Sequence, residues 1–354
     1  MPLPSGLGHL INNNILFYPT HRTQHPRPKY MKNIAIIMGG YSSEYKISLI
    51  SGNVVYQFLD KTKYNGFRIH IFKEKWVYVD DQDNEFPIDK NDFSTTIKGN
   101  KITFDCVFNA IHGTPGEDGL MQAYFELIEM PQSSCDYYQA ALTFNKRDLL
   151  SVLKPYGIKT ATSYYLNKGD QIDTAEIVKA VGLPCFVKPN KSGSSFGISK
   201  VKTAAELPIA IEIAYKEDSE IIIESFLDGI EVSVGVINYQ GSVTVLPITE
   251  IVSENDFFDY EAKYQGKSQE ITPARISEEM AQKVSEAAKR AYEILKMKGF
   301  SRSEFIFVDG EPHMLEMNTI PGLTTESLIP QQAKAAGISL EDLFTNAIEL
   351  CFKT

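Results

Sequence analysis

Two carboxylates and an amide towards the C-terminal end of the sequence, Glu304, Glu316 and Asn318, have the types and spacing to hold a hard cation. Glu304 lies in Ser301-Arg302-Ser303-Glu304-Phe305-Ile306-Phe307-Val308. Glu316 and Asn318 follow in His313-Met314-Leu315-Glu316-Met317-Asn318, with Asp309-Gly310 in between. The aromatic and β-branched residues, the alternation and the turn dipeptide predict a hairpin of two strands. Side chains two apart on a strand share a face, so Glu316 and Asn318 would present oxygens about 7 Å apart while Leu315 and Met317 face a core. Mg²⁺ favours such donors. Glu304 joins them only if the hairpin loop has an odd number of residues, and a three-residue loop containing Gly310 is expected. A solvated polar strand face would show the same pattern, but Arg302 within reach and Pro321-Gly322 just beyond favour a site.

A second group of residues suits phosphate. Lys188 ends an apolar run and is followed by Asn190-Lys191-Ser192-Gly193-Ser194-Ser195-Phe196-Gly197 and then Ile198-Ser199-Lys200-Val201, which reads as strand, glycine loop, strand. Glycines let backbone N–H groups approach phosphate oxygens, hydroxyls add donors, and a lysine adds charge. No GxxxxGK[ST] element is present, so a Walker-type helix N-terminus is not the phosphate holder. Further on, Glu220–Glu224, a short connector through Phe226 and Leu227, and Glu231-Val232-Ser233 imply two more strands. Such a connector can offer its backbone to a base edge while Glu231 bonds ribose hydroxyls.

The elements that must position these groups form an α/β pattern. A strand from Ile34 to Met38 meets Gly39-Gly40, and Ser42, Ser43 and Glu44 open a helix whose apolar positions are Ile47, Ile50, Val54 and Phe58. A later strand, Asp105 to Ile111, runs into His112-Gly113-Thr114-Pro115-Gly116-Glu117-Asp118-Gly119 and a helix from Leu120 to Glu129. Ligands bind beyond strand carboxyl ends in such sheets. Ser339 and Asp342 cap a final helix, Leu340 to Phe352.

The chain has 354 residues, 43% hydrophobic and 11% aromatic, enough for two or three domains. Its net charge is −10, and the first 30 residues hold three basic and no acidic residues, so the body is acidic and nucleic acid is not the expected partner. The four cysteines, at 106, 135, 185 and 351, lack CxxC spacing and no secretory leader is evident, which predicts reduced thiols and a cytoplasmic location. Three of the six histidines fall within the first 25 residues, leaving no zinc-like cluster. No stretch is long and apolar enough for a membrane span, and residues 1–30 are expected to be a disordered extension.

Taken in order, these elements resemble the ATP-grasp ligases and, within them, the D-alanine–D-alanine ligase family. GGYSSEYKIS, HGTPGEDG, VKPNKSGSSFGISKV, IIIESFLDGIEVSV, DYEAKY and LEMNTIPGLTTESLIP carry the resemblance from about Met31 to the end. It implies an ATP-grasp fold of three α/β domains, about 31–132, 133–225 carrying the lid, and 226–354 with metal and acceptor sites, the nucleotide lying between the last two. The implied activity is ATP-dependent joining of two D-alanines through an acyl phosphate for peptidoglycan synthesis, with Mg²⁺, or Mn²⁺ in its place. By matching motifs, Glu44 holds the first ammonium with Ser194 in support, and His112 belongs to the substrate site. Lys146 and Lys188 contact ATP phosphates, with Ser195 and Lys263 also on the nucleotide side. Glu224, Phe226, Leu227 and Glu231 form the nucleotide pocket, and Glu304, Glu316 and Asn318 bind the metal. Arg302 and the Gly322 N–H stabilise the tetrahedral intermediate, Ser327 and Leu328 take the second carboxylate, and Lys263 and Tyr264 sit on a closing loop. A homodimer is left open.

Three positions depart from the commoner pattern: Glu304 stands for Asp, Ser192 for Glu in the glycine loop, and Ser225 for Lys in the connector. Tyr264 after Lys263 resembles dipeptide-forming members. Two other readings stand beside this one: another ATP-grasp carboxylate–amine ligase, such as a D-alanyl-D-lactate former, and a non-catalytic nucleotide-binding regulator.

Overall fold

The structure, a computed structural model, describes residues 31–193, 196–253 and 268–353. Three sheets organise them. The first is built from β1 (Lys32–Gly39), β2 (Tyr64–Ile71), β3 (Trp76–Val79), β4 (Glu85–Asp89), β5 (Ser94–Ile97), β6 (Asn100–Ile102) and β7 (Cys106–Asn109). Their order is β6-β5-β4-β3-β2-β1-β7. Only the β2-β1-β7 part is parallel; β3 to β6 extend it as an antiparallel meander that the sequence reading did not foresee. Helix α1 (Tyr45–Gln57) follows β1, and α2 (Leu120–Leu127) follows the loop after β7.

Helices α3 (Tyr137–Phe144) and α4 (Lys146–Leu153) lead to a short β8 (Lys159–Thr160), which pairs in parallel with a strand of the third sheet. The second sheet comprises β9 (Ser163–Asn167), β10 (Cys185–Pro189), β11 (Ser199–Val201) and β12 (Glu220–Ser225), ordered β11-β10-β12-β9. Helices α5 (Thr174–Val181) and α6 (Leu207–Ala214) cover it. The third sheet holds β13 (Ile230–Tyr239), β14 (Ser242–Val245), β15 (Thr249–Ser253), β16 (Ser268–Ile271), β17 (Phe300–Val308) and β18 (Glu311–Asn318), in the order β16-β15-β13-β17-β18-β8 with β14 on β13. Helices α7 (Glu278–Ile294), α8 (Leu328–Ala335) and α9 (Leu340–Leu350) complete this part. Ser339 caps α9 by accepting the Asp342 N–H at 3.0 Å.

Burial shows which parts depend on which. The second sheet has its own core, Leu166, Ile177, Val187, Leu207, Ile211, Ile221 and Ile223 among others. By contrast Ile34, Ile36, Met38 and Phe108 of the first sheet share a core with Ile237, Phe300, Ile329, Leu343 and Phe344. Leu149, Leu150 and Leu153 of α4 pack with Val232, Val234, Phe305 and Met314 of the third sheet.

Two expectations are corrected. First, α1 does not bury Ile50 and Phe58, which are 50% and 39% exposed; it buries Ser48, Ser51, Gly52 and Val55. The serines face inward because they satisfy backbone and histidine groups of neighbouring loops, so polarity marks the packed face here. Second, the β17–β18 loop has two residues, Asp309 and Gly310, both left-handed with φ of 51° and 74°, as a type I′ turn requires. Such a loop pairs Phe305 with Met314. The register then shifts between Glu304 and Phe305, leaving Leu315 as the extra residue of a β-bulge, and Glu304 pairs with Glu316 and Arg302 with Asn318. The odd residue that aligns the two carboxylates is therefore in the strand and not in the turn. The core positions are Met314 and Met317, while Leu315 is only half-buried.

Candidate active site

A cavity of about 340 Å³ opens between these elements and is lined by Glu44, His112, Lys146, Ser192, Gly193, Arg302, Glu316, Asn318, Gly322, Ser327 and Leu328. Its floor is the β17–β18 pair. Glu316 and Asn318 both line it, as two residues of one strand face should. Arg302 contacts Glu304 and reaches Ser233 Oγ at 3.3 Å. Burial works against the Arg302 charge, but Glu304 and Glu316 outweigh it and its pKa stays raised. Glu304 is 5% exposed and does not itself line the cavity.

Lys146 is placed at the start of α4 because the Asn145 side chain caps that helix through the Asp148 N–H. Its Nζ lies 3.0 Å from Glu316 Oε2 and donates to the Ser192 carbonyl at 3.0 Å, so it bridges floor and glycine loop. Lys188 sits on β10 opposite β12 and pairs with Glu224 at 2.8 Å. Its burial opposes charge, yet Glu224, Glu316 and Glu231 leave the ammonium pKa raised. The glycine loop approaches the far wall closely: a Cβ on Gly193 would stand 2.9 Å from Glu44 Oε2.

The residues expected to hold a nucleotide lie apart from this cavity, along β12 and β13. Phe226 is tilted against Phe186 with ring centroids 6.1 Å apart, and Lys200 stands 4.4 Å over the Phe226 ring. Glu224 Oε1 is buried without a hydrogen-bond partner. Ser225 Oγ accepts the Thr162 N–H at 3.1 Å, so this substituted position is used to tie the connector down. Leu227 lies on that connector and Glu231 near the start of β13. Ser194, Ser195, Lys263 and Tyr264 lie outside the described residues.

The other end of the cavity is held together by hydrogen bonds to backbone and hydroxyl groups. His112 is 5% exposed, with Nε2 at 3.0 Å from Ser51 Oγ and Nδ1 at 2.7 Å from the Ile320 carbonyl. Both ring nitrogens are thus engaged by the protein. Glu117, which the sequence reading passed over inside its own glycine-rich motif, also lines the cavity, and its Oε2 accepts the Gly113 N–H at 2.9 Å. Burial, then the nearby Glu44 charge, push its carboxyl up to about 8. Ser327 is the N-cap of α8 and its Oγ is 2.8 Å from Thr324 Oγ1, so the helix N-terminus opens on the cavity beside Gly322. Glu270 lines it outside any quoted motif, and Thr324 and Glu326 line it within LEMNTIPGLTTESLIP, where no role had been assigned to them.

The oxygen set Glu304, Glu316 and Asn318 fits a hard divalent cation. Two carboxylates are paired directly across the strands and an amide oxygen follows one turn of the pleat later. Asn318 Oδ1 accepts the Ile320 N–H at 2.9 Å, which fixes the amide so that its oxygen is an acceptor oriented by the loop.

A three-sheet α/β architecture with a strand–loop–strand lid and a paired-strand acidic floor is that of an ATP-grasp ligase, and solved structures agree. The chain superposes on the VanG D-Ala:D-Ser ligase of Enterococcus faecalis with a TM-score of 0.81 and 32% identity, covering 91% of this chain and 100% of the other. It also matches the D-alanine–D-alanine ligase of Bacillus anthracis complexed with ATP, with a TM-score of 0.74, 28% identity, and coverage of 91% and 98%. The models of the D-ala D-ala ligase N-terminus and C-terminus match residues 33–135 and 152–349. The D-alanine–D-alanine ligase of Flavobacterium johnsoniae is 88% identical over 320 residues, 90% of this chain and 99% of the relative. That of Christiangramia forsetii is 64% identical over 318 residues, covering 90% and 98%. The chain belongs to the D-alanine–D-alanine ligase family.

Proposed function

We propose that the protein joins two D-alanines to D-alanyl-D-alanine, using ATP and releasing ADP and phosphate. The observation that carries the reading is one cavity lined at once by Glu44, Lys146, Arg302, Glu316, Asn318 and Ser327. It offers an acidic group for an ammonium, cations for phosphate, oxygens for a metal and a helix N-terminus for a carboxylate.

In this mechanism the carboxylate of the first D-alanine, its ammonium held by Glu44, attacks the γ-phosphorus of ATP, and the bond to ADP breaks. Lys146 and Lys188 neutralise the phosphates, since phosphoryl transfer asks for positioning and charge compensation more than for a protein nucleophile. Mg²⁺ held by Glu304, Glu316 and Asn318 would supply charge neutralisation at the phosphate oxygens. The amine of the second D-alanine, its carboxylate at Ser327 and Leu328, then attacks the acyl carbon, and Arg302 with the Gly322 N–H takes the oxyanion until phosphate leaves. The glycine loop, with Ser194 and Ser195, and the loop bearing Lys263 and Tyr264 keep water from the acyl phosphate. Glu224, Phe226, Leu227 and Glu231 hold adenine and ribose.

The three-domain division and action in the cytoplasm on peptidoglycan precursors belong to the same reading, with a homodimer left open. The described cysteines are all free, and among the described residues no helix is long and apolar enough to cross a membrane.

The test is ADP formation by the purified protein with Mg-ATP and D-alanine, beside L-alanine and D-alanine plus D-lactate, with product masses. D-alanyl-D-alanine that depends on D-alanine is expected. Saturable ATP binding without ADP from any of these substrates would sink the reading.

A further inference from the structure

A one-way chain of hydrogen bonds ties α1 to the loop that carries Gly322. The Leu323 N–H donates to Ser51 Oγ at 3.2 Å, Ser51 Oγ lies 3.0 Å from His112 Nε2, and His112 Nδ1 lies 2.7 Å from the Ile320 carbonyl. A carbonyl only accepts, so Nδ1 carries a proton. Burial holds the imidazole pKa down against the opposing pull of Glu44, and in the neutral ring with its proton on Nδ1, Nε2 is the acceptor. The Ser51 hydroxyl therefore donates to Nε2 and receives the Leu323 N–H. Ser51, Ile320 and Leu323 are all 3% exposed or less, so water does not compete for these bonds.

The chain grips the loop immediately before and after Pro321-Gly322. The same inner face of α1 presents Ser48, whose Oγ accepts the His112 N–H at 2.9 Å, with Glu44 at the helix start in the cavity wall. One helix thus sets both the ammonium partner and the loop that supplies the oxyanion donor.

We propose that Ser51 is a positioning residue for ligation: acting through His112 and the Leu323 N–H, it fixes where the Gly322 N–H points. This rests on the proposed role of Gly322. An oxyanion donor is worth about 10²–10³ in rate, and a donor left in place but loosely aimed loses part of that.

The experiment uses full-length Ser51→Ala beside the wild type and measures kcat, the KM for ATP, thermal stability and the ratio of ADP released to dipeptide formed. Expected is a fall in kcat of ~10-fold or more, with the KM for ATP within about twofold, an unfolding temperature near wild type, and ADP in excess of dipeptide because the acyl phosphate is lost to water. The excess ADP is the readout that a merely structural role would not move. Wild-type kcat with equal ADP and dipeptide, or a loss of rate matched by loss of folded protein, overturns the proposal. A wild type that forms no dipeptide at all removes the ligase reading itself, and is thereby distinguished from failure of Ser51 alone.

Discussion

The two ends of the cavity are held by different forces. On the side of the β10–β12 and β17–β18 strands the charged groups stand in ion pairs, Lys146 with Glu316, Lys188 with Glu224 and Arg302 with Glu304. At the α1 end, His112 and Glu117 are held by backbone and hydroxyl hydrogen bonds. Under the proposed function these ion pairs would exchange partners when a polyphosphate and its cation arrive, which balances that side for substitution. The hydrogen bonds of His112 and Glu117 have no ion-pair partner to trade and keep their geometry, which under the proposed function suits the side that places Glu44 and the Gly322 N–H.

The comparison breaks first where charge compensation is removed. Lys188→Met leaves Glu224, 2% exposed, without its cation, and stability should fall by about 3–5 kcal/mol in a denaturant titration. Adding Glu224→Gln should restore much of it; a double variant as unstable as the single one would show that packing, and not charge, is at stake. Next, Arg302→Ala should lower turnover by at least about 10²–10³ in a folded protein, read as dipeptide formed. Unchanged turnover would take Arg302 out of the mechanism.

Smaller changes sharpen the contrast at the seam between the ends. Gly193→Ala puts a methyl carbon 2.9 Å from Glu44 Oε2, so either the glycine loop or the carboxylate must shift. The expected result is a KM for D-alanine raised about tenfold, with weaker change in the KM for ATP. The mildest effect concerns Glu117. Its folded-state carboxyl is pushed up to about 8, above the roughly 4.3 of an unfolded chain. The folded form holds the proton more tightly, so this contribution is present below the unfolded value and is lost as pH climbs towards 8. Glu117→Gln, which keeps an acceptor for the Gly113 N–H, should therefore gain a few degrees of unfolding temperature on the wild type between pH 5 and 9, and little difference at low pH. Parallel curves for the two proteins would show that Glu117 does not titrate in that window.

The charged end was legible from the sequence because alternation in a strand and glycine–lysine patterns are local signals. Even so, the alignment of Glu304 with Glu316 was expected from a three-residue loop, whereas Leu315 supplies it as a bulge. Alternation alone cannot locate an extra residue between a turn and a bulge. The α1 end was legible only in part. Ser48 and Ser51 look like an outer helix face until the loops they serve are in place, and Glu117 looks like one more acid in a turn. The union of the first sheet with α8 and α9 in one core, through Ile34, Phe108, Ile329 and Phe344, joins residues too far apart in sequence for any periodicity to reveal.

The bulge also separates two jobs that a regular hairpin would combine. Because the pairing of Glu304 with Glu316 is set at Leu315 and Glu304 is held by Ser233 of β13, the tip at Asp309-Gly310, with Asp309 exposed, is uncoupled from the site. That tip is a place where a short tag, a fluorophore-bearing cysteine or a few inserted residues can be tolerated.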